Sequence, residues 1–124
     1  MSRMPILLIE DDTDLRAAHQ ELLELAGYEV HCAADGREAL TQLVRVSEWG
    51  LILLDIHMPR MCGEEFLAHL ARRVCPIPLP IVVLSAHLAR PPSGVLGLLT
   101  KPVSAGRLLD LARAHCLPVQ QRVA

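Results

Sequence analysis

Three aspartates, one serine and one lysine are the residues of this sequence whose types and spacing can do chemistry together. Asp11 and Asp12 come just after Ile6-Leu7-Leu8-Ile9, and Asp55 directly after Leu51-Ile52-Leu53-Leu54. Ser85 follows Ile81-Val82-Val83-Leu84, and Lys101 comes just after the apolar run from Val95 to Leu99. Taken singly, each has an ordinary explanation, since aspartate is common in turns and a loop lysine is usually a solvated charge. Lys101 is, however, the only lysine, every other basic side chain being arginine. Three carboxylates brought within several ångströms repel one another unless a cation intervenes. Mg2+ meets that demand, because it takes oxygen ligands, keeps several waters and is shared between one or two carboxylates and a phosphate. An ammonium and a hydroxyl at the same place complete a site for a phosphoryl group, whose oxygens need positive charge and hydrogen-bond donors.

The elements around these residues are what can gather them. Four aliphatic residues at 51–54 are too few for a helix and lack polar alternation, so they predict a strand buried on both faces, as in a parallel sheet covered by helices. Pro5 to Ile9 and Ile81 to Leu84 read the same way. Tyr28 to Ala33 alternates Tyr28, Val30 and Cys32 with Glu29 and His31, which predicts a half-exposed strand near the sheet edge. Val95 to Leu99 is the fifth run. Thr13 to Ala26 predicts a helix capped by Asp12 or Thr13, with Leu15, Ala18, Leu22 and Leu25 inward and Gly27 as its stop. Asp35-Gly36 opens a second helix carrying Ala39, Leu40, Leu43 and Val44 inward. A third, after the loop from Pro59 to Gly63, carries Phe66, Leu67 and Leu70, and a last one runs from Ser104 to about His115. The alternate prolines of Cys75-Pro76-Ile77-Pro78-Leu79-Pro80 predict a stiff extended connector. Alternating β and α units with right-handed crossovers give a parallel sheet whose strand C-termini share one edge. That edge is where open α/β sheets bind their ligands.

Composition narrows the class. A chain of 124 residues fits one domain, here residues 1–124 with a core over about residues 4–117, large enough to bury a core without staples. Hydrophobic residues make up 52% and aromatics 2%, so Leu, Val, Ile and Ala must fill the interior. A net charge of −2 with both signs interspersed offers no footprint for nucleic acid or an anionic membrane. Cys32, Cys62, Cys75 and Cys116 have no C-x-x-C spacing, and neither a signal peptide nor a long apolar span is visible, so a reduced cytoplasmic protein is expected. His19, His31, His69 and His115 lack paired ligand spacing and read as surface or packing residues.

At its strand ends the sequence resembles the receiver domain of two-component response regulators. The matching pieces are Ile9-Glu10-Asp11-Asp12, Leu53-Leu54-Asp55-Ile56-His57-Met58-Pro59 with Gly63, Leu84-Ser85-Ala86, and Thr100-Lys101-Pro102. Each is weak alone, but in this order and on successive strand ends they are specific, and they span nearly the whole chain. The resemblance implies an α/β, flavodoxin-like, doubly wound sheet of five parallel strands in the order 2-1-3-4-5. It further implies that Asp55 takes a phosphoryl group from a phosphohistidine on a partner histidine kinase or histidine phosphotransfer protein, forming an aspartyl phosphate. Asp12 and Asp55 would hold Mg2+ with the backbone carbonyl of His57, and Asp11 would act through bound water. Lys101 would pair with the phosphoryl oxygens and Ser85 would donate a hydrogen bond to them. His57 and His87 would flank the phosphoryl group, with the sign of their effect on its hydrolysis left open. The Lys101-Pro102 bond would be cis. The chain would be a signalling domain that catalyses only its own phosphorylation and dephosphorylation, as a stand-alone regulator or a relay receiver of a hybrid kinase, with its oligomeric state open.

The sequence also departs from the family. Lys101 follows Ser85 by only 16 positions, a shorter spacing than receivers usually have, and Pro91-Pro92 and Gly94 leave no run for a helix between the fourth and fifth strands. A loop or single turn is expected there. Leu98 stands where the family usually has Tyr or Phe, so no dimer is expected through the face this helix usually builds. Three other readings are weaker. A haloacid-dehalogenase-type phosphatase needs a D-x-D on its first strand, and a Rossmann binder needs a glycine-rich turn after Ile9. A receiver fold that binds partners without phosphate usually has lost an acid or the lysine, and none is lost here.

Overall fold

The computed structural model describes residues 3–58, 60–72 and 79–118. Within them the order of elements is β1 (Ile6–Ile9), α1 (Thr13–Leu25), β2 (Val30–Ala33), α2 (Gly36–Leu43), β3 (Leu51–Asp55), α3 (Gly63–Ala71), β4 (Ile81–Ser85), β5 (Gly97–Thr100) and α4 (Ala105–His115). The strands form one sheet in the order β2-β1-β3-β4-β5, every pairing parallel. This is the flavodoxin-like arrangement expected. The continuous apolar runs of β1, β3 and β4 are buried throughout, and β2 and β5 at the two edges are partly exposed.

Alternate side chains of the sheet feed two cores. Leu7, Ile9, Ile52, Leu54, Ile81 and Val83 meet Ala39, Leu43 and Phe66 from α2 and α3. Ile6, Leu8, Leu51, Leu53, Val82 and Leu84 meet Leu23, Leu108 and Ala112 from α1 and α4. Phe66 is fully buried, and removing such a ring typically costs about 3–5 kcal/mol. The helices begin where short polar side chains satisfy free backbone N–H groups. Asp12 Oδ1 accepts from Asp14 and Leu15 at 3.0 and 3.1 Å, Asp35 Oδ1 from Glu38 at 3.0 Å, and Ser104 Oγ from Arg107 at 3.2 Å. Each such cap is worth about 1 kcal/mol.

Several expectations need correction. The inward stripe of α1 is turned from the expected one. Ala18 is exposed and Leu25 is 81% exposed, whereas His19 and Leu23 are buried. Val44 caps the end of α2 and is 73% exposed. Both leucine and valine lie at helix ends, where the chain is leaving the sheet. β2 starts at Val30, because the Tyr28 N–H closes α1 by donating to the Leu23 carbonyl at 3.1 Å. β5 runs over Gly97–Thr100 and not from Val95, since Gly94 turns the chain at φ 84° and the ladder to β4 opens only at Gly97. No helix lies between β4 and β5, as the proline pair required. The Lys101-Pro102 bond is cis. Pro59, most of the proline-rich connector and the tail beyond Pro118 fall outside the described residues.

Candidate functional site

The sheet register decides which acids meet. Ile9 of β1 lies opposite Leu54 of β3, so the next residue on each strand, Glu10 and Asp55, emerges at the same level. Both are buried, at 1% and 3% exposure. Glu10 is held from several sides. Its N–H donates to the Ala33 carbonyl at 3.0 Å, its carbonyl accepts from Arg16 at 2.8 Å, and its Oε2 accepts from the Asp12 N–H at 3.2 Å. Carboxylate oxygens of Glu10, Asp11 and Asp55 all lie within 4.8 Å of one another.

Lys101 reaches this group from the end of β5. Its Nζ is 2.9 Å from Glu10 Oε1 and 3.5 Å from Asp55 Oδ1. Burial alone would pull the Lys101 pKa down, but Glu10 and then Asp55 outweigh it and leave the value raised. Asp55 is pushed up to about 7, first by burial and then by the charge and hydrogen bonding of Glu10, with Lys101 and the His57 N–H opposing. That N–H donates to Asp55 Oδ1 at 3.3 Å. Ser85 is fully buried at the end of β4. Its Oγ accepts from the His87 and Leu88 N–H groups at 3.0 and 3.1 Å, and its carbonyl accepts from the Lys101 N–H at 3.0 Å. The rings of His57 and His87 meet edge to face at the rim, centroids 5.3 Å apart.

Asp12 does not belong to the group. Expected as a metal ligand, it is exposed and spends its carboxylate on the first N–H groups of α1, because the chain has already turned into the helix by that residue. Glu10 stands in the place assigned to it. The signal was present in the sequence: Glu10 directly follows the buried run of β1, as Asp55 directly follows that of β3. Asp11, Asp55, Ser85 and Lys101 come from three more strand ends and one turn to the same sheet edge.

The donor set favours a hard divalent cation. All three clustered side chains offer oxygen, two of the three are buried, and one ammonium leaves two negative charges unbalanced. Mg2+ takes such oxygens, and a positive ion would reverse the rise at Asp55.

A sequence model of the response regulator receiver domain matches residues 6–113. Among curated proteins, a response regulator receiver protein of Anaeromyxobacter sp. (strain Fw109-5) is 37% identical over 111 residues, covering 85% of this chain and 45% of the relative. The chain spans less than half the length of the first curated relatives it matches. Among solved structures, the chemotaxis protein CheY4 of Vibrio cholerae superposes with a TM-score of 0.79 at 30% identity, over 92% of this chain and 99% of that one. The receiver domain from the hybrid histidine kinase CckA superposes with a TM-score of 0.73 at 28% identity, over 89% and 96%. Among the described residues no helix is long and apolar enough to cross a membrane.

Proposed function

The chain belongs to the response regulator receiver family of two-component signalling, and from that premise we propose that Asp55 is its phosphoacceptor. One observation carries the reading: Glu10, Asp11 and Asp55 lie together beside the only lysine, whose ammonium is within 3.5 Å of the acceptor carboxylate. An Asp55 carboxylate oxygen attacks phosphorus, the P–N bond to the partner's imidazole breaks as the P–O bond forms, and the imidazole keeps the electron pair of the broken bond. Lys101 balances charge on the phosphoryl oxygens. Ser85, whose Oγ is fixed by two backbone N–H groups, keeps its own hydrogen to donate to a phosphoryl oxygen.

Glu10, Asp11 and Asp55, with the His57 carbonyl, are the groups that would hold Mg2+. When bound, the ion neutralises the acids and the incoming phosphoryl oxygens. The chain's own part is to aim Asp55, through the His57 N–H, and to oppose the rise in its pKa, through Lys101 and that same N–H.

The partner is a histidine kinase or a histidine phosphotransfer protein docking beside α1 near Asp11, and the protein works in the cytoplasm without touching DNA. Residues 4–117 act as one receiver unit. With no helix between β4 and β5, the face that would dimerise is incomplete, which favours a relay receiver over a regulator that pairs on DNA.

Incubation with acetyl phosphate, with and without Mg2+, tests the reading by intact mass. One phosphoryl adduct in the wild type with Mg2+ and none in Asp55→Asn is expected. An adduct that survives in Asp55→Asn and maps to another residue would overturn it.

A further inference from the structure

The loop between β3 and α3 carries His57, and with it the N–H that holds Asp55. Its inner end is pinned to the strand it leaves: the Gly63 N–H donates to the Ile56 carbonyl at 3.0 Å, and a Cβ on Gly63 would stand 2.8 Å from Ile56 Cα. The outer end is pinned from another element. Asp35, with its side chain 3% exposed, receives Arg60 Nε on Oδ2 at 3.1 Å. Beside this pair the Gly36 N–H donates to the Met61 carbonyl at 3.1 Å, and the Met61 side chain fills the space that a Cβ on Gly36 would need.

Capping of α2 does not explain this arrangement. Asp35 Oδ1 alone caps the helix, through the Glu38 N–H. Oδ2 is a second, separate acceptor, and a buried carboxylate is costly unless its charge is matched. The cation that matches it comes from Arg60, which is 66% exposed on its side chain. Arg60 also holds a left-handed φ of 64°, alone among the described non-glycine residues, a conformation that persists only where its surroundings enforce it.

We propose that the Arg60–Asp35 ion pair clamps the β3–α3 loop against the start of α2 and thereby sets the His57 backbone, making Arg60 a positioning residue for the cation and phosphoryl site. The inference rests on the proposed function, and it adds a residue that touches neither the ion nor the phosphoryl group. The loop has two fixed ends. Loss of the outer one leaves the His57 backbone with only the Gly63 end to hold it.

Three substitutions test it. Arg60→Gly removes the cation and adopts a φ of 64° without strain, Arg60→Lys keeps a charge, and Asp35→Asn keeps the Oδ1 cap while losing the ionic partner. The readouts are the half-saturating Mg2+ concentration fitted from the logarithmic rise of thermal stability with Mg2+, the Mg2+ dependence of phosphorylation by acetyl phosphate, and hydrogen exchange at the Gly36 amide. Arg60→Gly and Asp35→Asn are each expected to raise half-saturating Mg2+ about tenfold, the low end of what supporting partners of a metal site contribute. The rate at saturating Mg2+ stays near wild type, Gly36 exchanges faster, and Arg60→Lys recovers most of the loss. The double variant is no worse than the worse single one. An unchanged half-saturating Mg2+ in Arg60→Gly overturns the clamp, whatever the exchange shows. A wild type with no Mg2+-dependent stabilisation overturns it too. A wild type that binds Mg2+ but takes no phosphoryl group overturns the functional reading instead, and the Mg2+ titration still decides the clamp.

Discussion

The Lys101 ammonium sits 2.9 Å from Glu10 Oε1, closer than it comes to Asp55. Glu10 thus takes much of the positive charge that would otherwise ionise Asp55, and the Asp55 carboxyl is left at about 7 by burial and by Glu10. The folded chain therefore holds a proton on Asp55 that the unfolded chain, at the ordinary value of 3.8, has released. Stability from this group is fully present below pH 4 and is lost as pH rises from about 4 to about 7. Urea midpoints in EDTA should fall across that window through this group. Asp55→Asn should remove the fall, and Mg2+ should oppose it by favouring the ionised carboxylates. A midpoint that rises between pH 5 and 7 in EDTA, equally in wild type and Asp55→Asn, would contradict this.

Asp11 and Asp12 are neighbours in sequence with opposite roles in the structure, and they make a sharp pair of variants. Asp12→Ala should cost about 1 kcal/mol through the lost cap of α1 and leave Mg2+ affinity close to wild type. Asp11→Ala should do the reverse, weakening Mg2+ binding at least tenfold with little change in metal-free stability. Thermal melts with and without Mg2+ read both quantities. Strong Mg2+ dependence on Asp12 and none on Asp11 would restore the expectation that the structure corrects.

Two glycines that look alike in sequence, each at a helix start, differ in what they face. A Cβ on Gly63 would meet backbone, 2.8 Å from Ile56 Cα and 3.0 Å from the Asp55 carbonyl oxygen. On Gly36 the three nearest atoms all belong to the Met61 side chain, whose outer part is flexible. Gly63→Ala should therefore cost about 1–3 kcal/mol and slow phosphorylation, because the atoms that must move include Asp55. Gly36→Ala should cost less than about 1 kcal/mol, since Met61 can turn aside. Urea unfolding of the two variants compares them directly.

The sheet was legible because β1, β3 and β4 are unbroken aliphatic runs, and burial on both faces is the one environment that selects such runs. The missing helix before β5 was equally legible, since Pro91-Pro92 and Gly94 forbid it. The phase of α1 was not: Leu25 is apolar yet exposed and His19 polar-capable yet buried, so residue type misleads where a helix leaves the sheet. Glu10, Asp11 and Asp12 look alike in sequence as a run of acids, and only the register of Ile9 with Leu54 brings Glu10 beside Asp55. The Arg60–Asp35 pair could not be read at all. Nothing local links residues 25 apart in sequence, and only the packing of α2 beside the β3–α3 loop brings them together.

His57 and His87 follow Asp55 and Ser85 by two residues, and their rings pack edge to face at 72°. Both are exposed, so neither is needed by the core. Edge-to-face pairs are worth about 0.5–1.5 kcal/mol, enough to keep two rim side chains in one place. A ring pair held two residues beyond Asp55 and Ser85 would narrow the approach of water to a phosphoryl group on Asp55. Truncating either one frees the other to swing away, so the two should act as a unit. We expect His57→Ala and His87→Ala each to speed loss of the aspartyl phosphate by about 2- to 10-fold, the factor that corresponds to the pair's energy. The double variant should be no faster than the faster single one. Intact-mass decay curves of the phosphorylated proteins measure all three rates. Slower decay in either single variant would show that an imidazole directs water toward the phosphorus, and additive effects would show that the ring contact does not matter.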